Sequence, residues 1–298
     1  MFDYIGENVS MSEIKIKRTG EQRTMELGEK NGVYYLFFPR LNELGIVEHL
    51  FSTRLGGVSK GCYESMNLSY TRGDEKEAVD ENYCRISEIM GHGHNLKDFV
   101  STFQTHTTNV RVITEEDKGK GPYIQRDYTD IDGLITNVPG IILSTFHADC
   151  PPVYFVDPVH KAIGLSHSGW KGTLGEISAN TLKLMHENYG TCARDCVCAI
   201  GPSICGDCYE IGEDVACKFK ERFSQQEIDE NRILIEYPND KYRLHLWNVI
   251  KLTLLKCGVK EENIIVTDVC TRCNPDLLFS HRIHHEDRGN LAAFLCLK

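Results

Sequence analysis

The sequence predicts an α+β fold in one domain. Short runs rich in β-branched and aromatic residues adjoin one another more often than they alternate with helices, which favours layered packing over a doubly wound parallel sheet. A few amphipathic segments punctuate those runs. No Pro-, Gly- or Ser-rich linker or charge run divides the 298 residues.

Taken in order, Val33 to Phe38 and Ile46 to Ser52 read as strands flanking a Pro-Arg-Leu-Asn turn. The next segment, Arg54-Leu-Gly-Gly-Val-Ser-Lys-Gly, holds three glycines and suits tight turning or close backbone approach to a ligand. Asp74 to Met90 has helical periodicity and acidic first turns, as the helix dipole favours. Strand runs follow at Phe99 to Phe103, Val110 to Thr114, Ile141 to Thr145, Val153 to Val156 and Ala162 to Ser166. Gly175 to Asn188 and Leu246 to Cys257 carry apolar residues at three- and four-residue spacing, hence helices. Val197 to Ile200, Ile264 to Thr267 and Leu291 to Leu297 complete the strand set, and no internal repeat is visible.

With 41% hydrophobic and 26% charged residues the composition is that of an ordinary globular protein. Met1 to Gly20 is polar and lacks an apolar h-region, so it does not read as a secretory signal. No run approaches the roughly 18 to 20 apolar residues of a membrane span. Thirteen cysteines, an odd number without an export signal, are expected as reduced thiols in a soluble cytoplasmic protein. A net charge of −10 offers no footprint for nucleic acid, which leaves a small molecule as the expected partner. No heptad or apolar patch indicates an oligomeric state.

The chemistry concentrates at His147-Ala-Asp-Cys150-Pro-Pro and at Ser166-His167-Ser-Gly-Trp-Lys-Gly, which flank a strand, a turn at Asp157-Pro158 and a returning strand. Such a hairpin brings Cys150 and His167 together. A thiolate and an imidazole so placed are either half of a zinc site or a Cys–His nucleophile pair, and the spacing does not choose. His106, at the end of a strand run, is a third candidate; three donors would leave the fourth zinc position open, as in catalytic sites.

These residues carry a family resemblance. Phe51-Ser-Thr-Arg-Leu-Gly-Gly-Val-Ser, Asn67-Leu68, Gln104-Thr-His106, Asp149-Cys150-Pro-Pro, His167-Ser-Gly-Trp-Lys-Gly, Ile200-Gly-Pro-Ser-Ile, Cys208-Tyr-Glu, Cys270-Thr and Phe279-Ser-His-Arg282 occur in order. Together, from about residue 45 to the C-terminus, they resemble the laccase-domain family, first called multicopper polyphenol oxidases and later described as purine nucleoside phosphorylases. The resemblance implies a single-domain four-layer α/β/β/α fold with mixed sheets over residues 1–298, residues 1–30 being a variable N-terminal extension. It implies zinc held by His106, Cys150 and His167, and phosphorolysis of adenosine, inosine and S-methyl-5'-thioadenosine with adenosine deamination as a further reaction. Copper and phenol oxidation belong to the older description.

Phosphorolysis develops positive charge on the ribose and needs phosphate held as nucleophile. Arg54 resembles the family's functional arginine, and its guanidinium fork suits phosphate oxygens. For deamination, Asp149 is the candidate acid/base group, though neighbouring strand residues point to opposite faces. Asn67, Gln104, Ser203 and Arg282 lie in matching motifs and are candidates to orient the nucleoside. The Ile-His-His-Glu-Asp stretch containing His284 and His285 departs from the family's basic, glycine-rich segment.

Cys205-Gly-Asp-Cys208 and Cys270-Thr-Arg-Cys273 form two CxxC pairs, a signature of structural zinc. Because Cys208 and Cys270 are common in the family and Cys205 replaces a usual glycine, the expectation is a single metal ion. Two rivals stand beside the phosphorylase: a copper phenol oxidase, for which His92-Gly-His94 is the one His-x-His pair, and a metal-free hydrolase using Cys150 and His167.

Overall fold

The computed structural model describes residues 14–238 and 240–298; residues 1–13 of the expected extension lie outside them. In chain order the first strands are β1 (Glu26–Lys30), β2 (Val33–Phe37), β3 (Val47–Ser52), β4 (Phe99–Ser101) and β5 (Val110–Val112). Next come β6 (Gly133–Thr136), β7 (Ile142–His147), β8 (Pro152–Asp157), β9 (Ala162–His167) and β10 (Val197–Ile200). The last are β11 (Glu210–Gly212), β12 (Leu234–Tyr237), β13 (Lys241–Leu244), β14 (Ile264–Val266) and β15 (Leu291–Leu297). The helices are α1 (Pro39–Asn42), α2 (Lys76–Met90), α3 (Trp170–Leu174), α4 (Ile177–Tyr189), α5 (Glu213–Arg222), α6 (Gln225–Glu230), α7 (Leu246–Lys256) and α8 (His281–His284).

Two six-stranded sheets carry the fold, one in the order β1-β2-β3-β15-β7-β4 and the other β14-β10-β8-β9-β6-β5. A three-stranded sheet, β11-β13-β12, stands beside them. The sheets are mixed: β4–β7, β5–β6 and β10–β14 pair in parallel among antiparallel neighbours. Strands β8 and β9 read as nearly continuous apolar runs and are buried along their whole length, as strands covered on both faces must be. The two large sheets meet through Phe51, Leu143, Leu295, Tyr154 and Leu165.

The outer faces are covered by helices. Val79, Tyr83, Ile86 and Met90 recur on one stripe of α2 and pack on Leu50, Phe99 and Phe294 of the first sheet. Leu182 and Met185 of α4, with Ile250 and Leu254 of α7, cover Phe155 and Cys198 of the second. The result is the four-layer α/β/β/α arrangement expected from the resemblance. Gly91 and Gly190 end α2 and α4 at positive φ, where a side chain would be strained.

Several expectations need correction. The Pro-Arg-Leu-Asn turn is a single helical turn, α1, because Pro39 fixes φ in its first position and loses no needed N–H. β1, β6, α5, α6 and the third sheet escape the pattern; β6 is only four residues long, and α5 buries only Ala216 and Phe219. Alongside these differences, described residues of segment 1–30 pack on the rest of the domain: Arg18 bridges to Val269 and ion-pairs with Asp268, and Met25 is fully buried. Among the described residues no helix is long and apolar enough to cross a membrane.

Candidate metal centre and its cavity

The β8–β9 hairpin sets the first contact. Its register places Pro152 opposite His167, so Cys150, two residues before Pro152, lies beside that imidazole. His106 arrives from the loop after β4 with φ +65, a left-handed conformation that aims its ring inward from a tight bend. Its Nε2 lies 3.9 Å from Cys150 Sγ, and its ring stands edge-on to that of His167 with centroids 4.9 Å apart. One donor atom from each of the three residues falls within 4.8 Å of the others.

Asp132, fully buried just before β6, holds this arrangement together. His167 Nδ1 lies 2.8 Å from Asp132 Oδ1, which leaves Nε2 for the other two donors. The same carboxylate accepts the backbone N–H groups of Thr105, His106 and Thr107 at 3.1, 3.1 and 2.9 Å. Burial would raise the Asp132 carboxyl, yet His167 and those N–H donors leave it below the usual carboxylate range. Sequence reasoning missed Asp132, whose only local signal is an Asp-Gly pair typical of turns.

The donors form a matched pair electrostatically. Burial would raise the Cys150 thiol, but His167 and His106 bring it down to about 6. Burial would lower His167, but Cys150 and Asp132 carry it up to about 9. His147 is excluded as a ligand because Thr145 Oγ1 and the Cys150 carbonyl occupy its two ring nitrogens at 2.7 and 2.9 Å.

These donors line a cavity of about 370 Å³. Tyr70, Phe103 and Phe146 supply aromatic surface, and Arg72, Arg126 and Arg288 supply charge. Arg72 is already bonded to Glu286 at 3.0 Å, and Arg126 donates to the Thr102 carbonyl at 2.7 Å. Arg288 is buried with its Nε lacking a partner, and burial plus the neighbouring Arg72 push it down to about 10. A buried cation with an unused donor beside a second cation is a ready anion site. None of the three arginines stands in a motif that the sequence singled out.

Of the other expected site residues, Gln104 lines the cavity, its amide bonded to both Phe146 backbone groups at 2.8 and 2.6 Å. The rest are not among the residues that line it. Arg54 donates to the carbonyls of Glu64 and Pro275 and rests 4.6 Å from the Phe279 ring centre, with His284 Nε2 at 3.3 Å. Asp149, at φ +85, accepts from Thr271 Oγ1 at 2.5 Å and from the Arg282 N–H at 2.7 Å. Asn67 is fully buried and bonds Ser69, Asp74 and Asn290. Ser203 accepts from Trp247 Nε1 at 2.6 Å, and the Arg282 side chain donates to the Glu210 carbonyl.

Among the described residues, the only other gathering of metal donors is Cys205, Cys208, Cys270 and Cys273, whose sulfurs lie within 4.8 Å of one another. His92 and His94 stand apart from both groups, against Glu48 and Asp98.

The chain is similar to known proteins in sequence and fold. The family described as multi-copper polyphenol oxidoreductase laccase matches residues 48–298. A Bacillus subtilis protein named purine nucleoside phosphorylase YlmD is 32% identical over 252 residues, covering 83% of this chain and 87% of that protein. A protein named adenosine deaminase RL5, from an unknown prokaryotic organism, is 32% identical over 235 residues, covering 78% and 87%. The crystal structure of the Bacillus licheniformis hypothetical protein YfiH superposes with a TM-score of 0.83 at 30% identity, covering 91% of this chain and 99% of that one. A match over five-sixths of the sequence, a shared four-layer fold and the converging donors place the chain in the laccase-domain family, described as multi-copper polyphenol oxidoreductase laccase.

Proposed function

We propose that this protein is a zinc-dependent purine nucleoside phosphorylase, acting on adenosine, inosine and S-methyl-5'-thioadenosine, with adenosine deamination as a side reaction. The observation that carries this reading is one cavity that gathers His106, Cys150 and His167 together with Arg72 and Arg288. The names of its relatives, purine nucleoside phosphorylase and adenosine deaminase, support the same reaction classes.

The donor set fits zinc: one thiolate, two imidazoles and a carboxylate fixing the second imidazole's tautomer. When bound there, zinc would supply a Lewis acid with an open position. The chain's own residues do the rest. Arg288 and Arg72 hold the phosphate dianion, whose oxygen forms the new bond to the ribose carbon as the base leaves with the glycosidic electron pair. Tyr70, Phe103 and Phe146 give the purine flat apolar surface against which to orient. Asp149 acts as a positioning residue beside Cys150, held by Thr271 and the Arg282 N–H. Asn67 positions Asn290 of the cavity wall, while Arg54, Ser203 and the Arg282 side chain brace neighbouring loops.

The test is to incubate purified protein with adenosine, with and without phosphate, and to quantify adenine, ribose 1-phosphate and inosine. The expected result is adenine release that requires phosphate, stops on chelation and returns with zinc. A second reading, a metal-free hydrolase with Cys150 as nucleophile and His167 as base, draws on the lowered thiol. Turnover that survives metal removal and is abolished by iodoacetamide would replace the first reading with the second. Oxygen uptake with a phenol by a copper-loaded, zinc-free preparation would restore the oxidase.

A further inference from the structure

We propose that Cys205, Cys208, Cys270 and Cys273 form a second metal centre, a tetrathiolate zinc site that fastens the two loops behind the first centre. The two CxxC turns come from distant parts of the chain and meet because β10 and β14 pair in parallel and exit side by side. The pairing continues as a bridge between Ser203 and Cys270. All four sulfurs lie within 4.8 Å of one another, and Cys208 Sγ is 3.4 Å from Cys273 Sγ. Tetrahedral zinc with Zn–S bonds of about 2.3 Å separates its sulfurs by about 3.8 Å. The four sulfurs are therefore already near the corners of that tetrahedron.

The surroundings suit thiolates. Cys205, Cys208 and Cys270 are buried and Cys273 is half-buried, so water does not compete for the site. The Cys205 N–H points at Cys270 Sγ at 3.2 Å, and Arg272 Nη1 donates to Cys208 Sγ at 3.5 Å. Both contacts offset the net −2 charge that four thiolates retain around one Zn²⁺. Binding exchanges four thiol protons for the ion, with no change of oxidation state.

Its consequence reaches the first centre through Asp149. Ile204, immediately before Cys205, donates its N–H to the Asp149 carbonyl at 2.9 Å. Thr271, immediately after Cys270, donates to the Asp149 carboxylate at 2.5 Å. Both clamps on the neighbour of Cys150 thus sit beside a cysteine of the second site.

The experiment is metal analysis of the purified protein grown with zinc. Two zinc ions per chain are expected in the wild type. One is expected in a His106→Ala/Cys150→Ser/His167→Ala variant and one in Cys273→Ser. Replacing zinc by cobalt in the triple variant should give the intense visible absorption of a tetrahedral tetrathiolate ion. Cys273→Ser should also unfold at lower temperature and lose nucleoside turnover at least severalfold while keeping its remaining zinc. If the triple variant does not fold, the wild-type count and the loss of one zinc in Cys273→Ser still decide. A single zinc in the wild type, bound iron in place of the second zinc, or a Cys208–Cys273 disulfide in protein alkylated before reduction would overturn the assignment.

Discussion

Asp132 bonds a ligand and the backbone of another ligand's loop at once, so its removal should cost more than either contact alone. In Asp132→Asn the amide retains one acceptor but turns a donor toward N–H groups, and the His167 tautomer is no longer fixed. Zinc affinity is expected to fall about 10- to 100-fold, measured by chelator competition. Unchanged affinity would show that His167 needs no orienting partner. On the proposed function, Arg288 should separate the two reactions. Losing a charge-assisted bond of about 1.5–3 kcal/mol should raise the phosphate KM roughly 10- to 100-fold in Arg288→Met. Deamination, which takes water rather than phosphate, should fall far less; an equal loss in both would remove Arg288 from the phosphate site. The meeting of Cys150 and His167 was legible in the sequence because a hairpin is a local event. Asp132 and the arginines were not, since their roles arise only when segments such as Arg72 and Arg288, 216 positions apart, meet.

Elements deliver these residues through turns, and the turn from β9 into α3 is a narrow one. Gly169 has φ −60, so alanine is tolerated by the backbone there. A Cβ at that position would stand 2.8 Å from His106 Cδ2 and 3.1 Å from Cys150 Sγ. Gly169→Ala should therefore displace the donors without unfolding the chain. The expected outcome is metal retention weaker by roughly tenfold, about 1.4 kcal/mol, with the thermal midpoint nearly unchanged. Full zinc occupancy under the same chelator challenge would mean the site has slack. Most strands and the three long helices α2, α4 and α7 were legible, because their buried stripes follow one period over many residues. The small third sheet with α5 and α6 was not. β12 is largely exposed and α5 mostly polar, so burial there depends on partners that pattern alone does not name. The CxxC pairs were visible one by one, whereas their meeting depends on the parallel register of β10 and β14.

At the scale of the whole molecule, the packing of sheet on sheet leaves a histidine with no room for a proton. His49 on β3 accepts the Phe38 N–H at 2.9 Å and stacks among Phe38 and Tyr154, whose hydroxyl crosses to the Leu50 carbonyl. Burial pushes this imidazole down to about 3 from its ordinary 6.5. Above pH 6.5 the ring is neutral in both folded and unfolded chains and contributes no slope. Between 6.5 and about 3 the unfolded chain binds a proton that the folded chain refuses, so stability falls by about 1.4 kcal/mol per pH unit from this group. In His49→Gln an acceptor remains for Phe38 but the titration is gone. Urea unfolding of both proteins between pH 7 and about 5 should show the variant losing stability less steeply, by about 2 kcal/mol over that interval because the full slope is reached only below pH 6.5. Parallel curves would mean that the interface between the sheets admits the charged ring and that acid acts on the fold elsewhere.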